Sequence, residues 1–152
     1  MDLLNQWQHV NMRNVASPSE SVLQITTSWT NPPINFLKCN VDAVIFKDPP
    51  RMGYGCIVRN HSGVVINAIC GCITGDFNPT TAEAMGVHEA LNWLKELKFS
   101  NVIVESDALL VVNAFQFEAL DVFCLGLILE DCRLLASELL SCSFVFVRRS
   151  AN

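Results

Sequence analysis

Between residues 37 and 73 the chain carries three apolar segments, rich in β-branched residues and separated only by turn-length stretches. Segments 37–46, 54–59 and 64–73 read as strands. Lys47-Asp48-Pro49-Pro50-Arg51 and His61-Ser62-Gly63 read as the turns between them. Connections this short leave no room for a crossover, so the three strands form an antiparallel meander. The rest of the chain must pack on a sheet that is already half built.

Beyond residue 73, helical and strand patterns alternate. Thr80 with Glu83 three residues later reads as a capping box, and Ala82, Gly86, Ala90, Trp93, Leu94 and Leu97 then share one side of a helix. Lys95 and Lys98 suit the negative end of its dipole. Residues 101–105, with Val102-Ile103-Val104 continuously apolar, predict a strand buried on both faces and parallel to a neighbour. Residues 107–117 predict a second helix. Leu125, Ile128, Leu129, Cys132, Leu135, Ala136 and Leu139 predict a third. A last strand falls at 144–147. The order βββαβααβ defines an α/β fold with a mixed sheet, spanning residues 36–152. Residues 1–35 are richer in Asn, Ser, Thr and Gln and end in Trp29-Thr30-Asn31-Pro32-Pro33. They read as a polar tail or linker, ordered only where Trp29 finds a groove.

Composition excludes several classes. With 51% hydrophobic and 16% charged residues in 152, the chain is no disordered, solvating polymer. A net charge of -5 argues against a histone-type binder of nucleic acid. No apolar run approaches the roughly 18 residues of a membrane span, and Met1–Val10 is not patterned as a secretory signal. The seven cysteines form no CxxC pair and read as small buried hydrophobes in a reducing compartment. An intracellular protein, nuclear or cytoplasmic and not membrane-bound, is expected. GxSxG, P-loop and GxGxxG patterns are all missing, which removes the common small-molecule hydrolase and nucleotide-binding folds. His61 lies in a turn and reads as solvated.

Three acids stand out. Asp42 sits inside Cys39-Asn40-Val41-Asp42-Ala43-Val44-Ile45, where both propensity and burial disfavour an aspartate. It needs a partner or a purpose. Glu83 lies at the start of the first helix and Asp107 directly after the buried strand. Taken singly, each has a capping role to explain it. In an α/β sheet, however, functional groups gather at strand carboxyl ends and the adjoining helix starts. Asp42, Glu83 and Asp107 would meet there. Three carboxylates without histidine or cysteine suit a hard cation, Mg²⁺ or Mn²⁺. A pair of such ions about 4 Å apart is the usual clamp for phosphodiester hydrolysis.

With these residues in view, the sequence resembles the RNase H-like domain, in the type-1 form found in plant retrotransposon-derived, reverse-transcriptase-like proteins. The resemblance covers residues 29–152. It rests on Trp29 and Pro32-Pro33, on Lys38-Cys39-Asn40-Val41-Asp42, and on Gly53-Tyr54-Gly55-Cys56-Ile57-Val58-Arg59-Asn60-His61-Ser62-Gly63. Thr81-Ala82-Glu83-Ala84, Asn101-Val102-Ile103-Val104-Glu105-Ser106-Asp107 and Phe146-Val147-Arg148-Arg149-Ser150-Ala151-Asn152 continue it. It implies a metal-dependent endonuclease that hydrolyses the RNA strand of RNA–DNA hybrids, with Asp42, Glu83 and Asp107 as ion ligands. The family's fourth acidic position, at the start of a last helix, would follow Asn152. Three carboxylates and a missing last helix imply impaired cleavage, and apolar surface open to self-association. The alternative is a catalytically inactive binding or interaction module of the same fold, or a gene fragment. Ala43 also replaces the glycine common after the first aspartate.

The net charge is local. Between Asp107 and Cys142 six acids face one base, Arg133, which accounts for all of the -5, while nine acids and nine bases balance elsewhere. Weak, salt-sensitive affinity for a hybrid is the expected consequence.

Overall fold

The computed structural model describes residues 28–116 and 123–148. Its elements are β1 (Leu37–Lys47), β2 (Pro50–Arg59), β3 (Val65–Thr74), α1 (Pro79–Glu96), β4 (Val102–Ser106), α2 (Leu109–Gln116), α3 (Phe123–Glu138) and β5 (Cys142–Phe146). The predicted order holds. The sheet runs β3-β2-β1-β4-β5, with antiparallel β1–β2 and β2–β3 pairs and parallel β1–β4 and β4–β5 pairs. It is the mixed sheet expected of an α/β protein.

Strand alternation sorts the sheet into two faces. Cys39 and Val41 of β1, Met52, Cys56 and Val58 of β2, Val102 and Val104 of β4, and Phe144 of β5 are buried. Apart from Met52, they form one core with Val87, Leu91 and Leu94 of α1, Val111 and Phe115 of α2, and Leu129 and Cys132 of α3. Phe115 stacks on Phe144, with ring centroids 4.3 Å apart. Gly86 sets the approach of α1. A Cβ there would meet Val41, Ala43 and Tyr54 at 3.6–3.7 Å, so the helix backbone rides directly on β1 and β2.

The other face is open. Val44, Phe46 and Ile57 are all exposed on it, and among the described residues no helix packs there. Cys70 and Cys72 share this face, as alternation requires, and are exposed, as is Cys124 on α3. The expectation that cysteines are buried therefore holds for Cys39, Cys56, Cys132 and Cys142 only. Cys70 and Cys72 fall outside it because they occupy the uncovered side of an edge strand.

Several boundaries differ from expectation: β4 and β5 are shifted by one or two residues, and three differences bear on the site or the sheet. β2 begins at Pro50, so the first hairpin closes on Asp48-Pro49 and the predicted turn is shorter. The first helix is capped by Asn78, whose Oδ1 accepts the Thr81 N–H at 2.9 Å, with Pro79 at the first helical position. Thr80 is therefore inside the helix and the Thr80/Glu83 capping box does not form. Asparagine is a stronger cap than threonine, and proline loses nothing at the first position. The second helix begins at Leu109, not Asp107; Ser106 Oγ accepts the Ala108 N–H at 3.1 Å ahead of it. Trp29 and Thr30, assigned from sequence to the tail, lie against the sheet. Residues 1–27 of that tail lie outside the described residues.

Candidate metal centre

β1 pairs with β4 from Leu37↔Val102 to Val41↔Ser106 and no further. The next residues along each strand are Asp42 and Asp107, so the end of a parallel pairing delivers two acids side by side. Glu83 reaches the same point from α1, one turn before Gly86, where the helix rests on Val41 and Ala43. Each of Asp42, Glu83 and Asp107 offers a carboxylate oxygen that lies within 4.8 Å of the others. Sequence reasoning names these three residues, and the structure brings all three together.

Their surroundings differ. Asp42 is exposed, and its Oδ1 accepts the backbone N–H of Ala43 at 3.0 Å. Glu83 and Asp107 are half-buried in a groove of about 360 Å³ lined also by Pro79, Thr80 and Leu109. One oxygen of Glu83, Oε2, is buried. Three converging carboxylates repel one another, and a hard divalent cation relieves that repulsion while taking oxygen ligands at ordinary coordination distances. The donor set therefore fits Mg²⁺ or Mn²⁺, and it does not fit a thiol- or imidazole-seeking metal. His61, exposed in its turn, is not among them.

Asp42 also borders a larger groove, of about 740 Å³, on the open face. Its floor is kept low by Gly55, opposite Asp42 in the β1–β2 register, and its walls include Ile57, Ala68 and Cys70. Trp29 closes one end. Lys38 Nζ and Arg59 Cζ lie 5.3 and 5.4 Å from the Trp29 ring centroid, so the indole sits beside two cations. Lys38 also donates to Thr30 O at 2.6 Å, which ties down the segment that carries the tryptophan.

Beneath Trp29 lies a network that sequence reasoning does not single out. Lys38 Nζ is 2.8 Å from Glu105 Oε1, and both side chains are about 5% exposed. Asn40 Nδ2 donates to Glu105 Oε2 at 2.7 Å, and Arg59 Nη1 donates to Asn40 Oδ1 at 3.2 Å. The signal is present in the sequence: Lys38, like Asp42, is a charge inside an apolar strand, and its partner is fixed by the β1–β4 register.

The sequence pattern of the reverse transcriptase-like family matches residues 40–152, and the chain belongs to that family. No curated protein sequence matches it. Among solved structures it is similar to RNase H1 of Halobacterium salinarum, at 17% identity and a TM-score of 0.69, over 75% of this chain and 86% of that one. It is similar also to the N-terminal RNase H domain of the Mycobacterium tuberculosis protein Rv2228c, at 21% identity and a TM-score of 0.65, over 75% and 83%. LC11-RNase H1, isolated from compost and solved in complex with an RNA/DNA hybrid, matches at 19% identity and a TM-score of 0.65, over 74% and 86%. These proteins share with this chain the RNase H-like fold.

Proposed function

We propose that residues 36–152 form a nucleic-acid-binding RNase H-like domain that hydrolyses the RNA strand of RNA–DNA hybrids with Mg²⁺ or Mn²⁺. One observation carries the reading: Asp42, Glu83 and Asp107, from three separate elements, offer carboxylate oxygens within 4.8 Å of one another. LC11-RNase H1, which shares this fold and was solved with an RNA/DNA hybrid bound, supports the choice of substrate.

Asp42, Glu83 and Asp107 would hold the cation, which when bound supplies Lewis acidity at the phosphate and an activated water. Glu83 and Asp107, half-buried, give the site a fixed wall. Asp42, just past the end of the β1–β4 pairing, is exposed and would be open to a bound strand. The hybrid would be recognised by shape and 2′-hydroxyl contacts. With its acidic excess between Asp107 and Cys142, the chain would hold it weakly and lose it as salt rises. Seven free thiols suit a reducing, intracellular compartment.

The test is cleavage of an end-labelled RNA–DNA hybrid with Mg²⁺ and, separately, Mn²⁺. Loss of the RNA strand alone, abolished by Asp42→Asn and by chelation, supports the reading. Hybrid binding without cleavage in either metal would make this domain an inactive binding module. If neither binding nor cleavage occurs, the nucleic-acid reading fails.

A further inference from the structure

Among the described residues β3 is an edge strand, hydrogen-bonded to β2 on one side only. Its sequence, VINAICGCIT, holds no charged residue and no proline across ten positions. Natural sheets usually protect such an edge with lysine, proline, a bulge or a short strand. The one irregularity lies in β3 itself: Val65 pairs with Arg59 and Asn67 with Val58, so Ile66 is an extra residue and the edge is regular from Asn67 to Thr74. Val64, Val65 and Ile66, just before that stretch, are 56%, 51% and 42% exposed.

The register shows which backbone groups are on offer. Gly75 N donates to Pro50 O, so the 50–75 pair is of the hydrogen-bonded kind. Counting back by twos, Ile73, Gly71, Ile69 and Asn67 bond to β2. The N–H and C=O groups of Ala68, Cys70, Cys72 and Thr74 therefore point outward.

We propose that β3 pairs antiparallel with β3 of a second copy of this chain across a two-fold axis. The occupant is argued from three features. A neutral strand meets no like-charge repulsion from its own copy. It is already extended, so pairing costs little ordering. An isologous contact also closes, giving a dimer and not a filament. Matching these four outward residues to one another sets Cys70 opposite Cys72 and Ala68 opposite Thr74, with the two-fold axis at Gly71. The two open faces then join into one apolar surface. This inference is independent of catalysis.

Sedimentation of the full chain under reducing conditions tests it. The wild type is expected to run as a dimer. Ala68→Lys, which sets a charge on the pairing edge, should weaken the dimer about tenfold or more without changing the circular dichroism. Val44→Lys, on the open face two strands away, should leave it intact. The register is read separately. In Cys124→Ser, Cys70 and Cys72 are the exposed thiols left among the described residues, and mild oxidation should trap a dimer linked from Cys70 of one copy to Cys72 of the other, since Cα atoms in a hydrogen-bonded antiparallel pair lie about 5.5 Å apart. A monomeric wild type, a dimer that survives Ala68→Lys but not Val44→Lys, or no Cys70–Cys72 cross-link in a protein that is otherwise dimeric would overturn the proposal.

Discussion

Lys38 of β1 and Glu105 of β4 form an ion pair of 2.8 Å with both side chains almost fully buried. They lie on the open face beneath Trp29, joined to Asn40 and Arg59 by hydrogen bonds. A buried pair costs much to desolvate, and breaking it by removing one partner leaves the other charge stranded. Glu105→Ala should therefore destabilise the fold by about 3–5 kcal/mol, measured by denaturant unfolding. The double replacement Lys38→Met/Glu105→Leu should recover most of that loss. If it is no more stable than Glu105→Ala, the stranded charge is not the cause.

The acidic trio is a local cost when no cation neutralises it. Two like charges about 4 Å apart repel by about 1 kcal/mol even in a water-like dielectric. Asp107→Asn should raise the melting temperature in chelator by about 2–4 °C, the shift expected of about 1 kcal/mol at this size. Adding Mg²⁺ should raise the melting temperature of the wild type more than that of the variant, by preferential binding to the folded state. Equal shifts for both proteins would count against Asp107 as a ligand.

Asn78 carries the start of α1, and with it the position of Glu83. Replacing it with alanine removes the bond from Thr81 N and should cost about 1 kcal/mol. Thr80→Ala, at the position that the capping-box pattern selects, should cost less. Chemical denaturation of the two variants side by side separates the assignments.

Thiol chemistry follows burial. Cys70, Cys72 and Cys124 should react rapidly with a disulfide reagent in the native state, and the other four only on unfolding. Burial pushes the Cys132 and Cys142 thiols up to about 12, from 9.0. In the unfolded chain those thiols lose protons from about pH 9 while the folded protein still holds them. The unfolded state then binds fewer protons, so stability should fall as pH rises from 9 toward about 12. Cys132→Ala/Cys142→Ala should flatten that decline in alkaline unfolding curves.

Much of this architecture is legible in the sequence because its signals are local. Period-two alternation and short turns set the meander, and helical spacing sets the three helices. Asp42 stands out as a charge in an apolar strand. The cap of α1 is harder to read, because Thr80 with Glu83 matches a capping box while Asn78 does not, and the outcome turns on Pro79 fitting the first helical position behind Asn78. Lys38 and Glu105 lie far apart in the chain, and Lys38, though visible as a charge in an apolar strand, gains its partner only when the parallel β1–β4 register sets Glu105 close to it.

Sequence by itself determined the element order and the chemical kind of the three acids, since both depend on neighbours a few residues away. Tertiary structure decided that β1 and β4 stop pairing at Val41 and Ser106, so that Asp42 and Asp107 emerge together. It decided also that Gly86 lets α1 close on β1, bringing Glu83 to them. Which face stays open and which strand forms the edge were likewise set by packing, because burial is a property of the assembled sheet and not of any one segment.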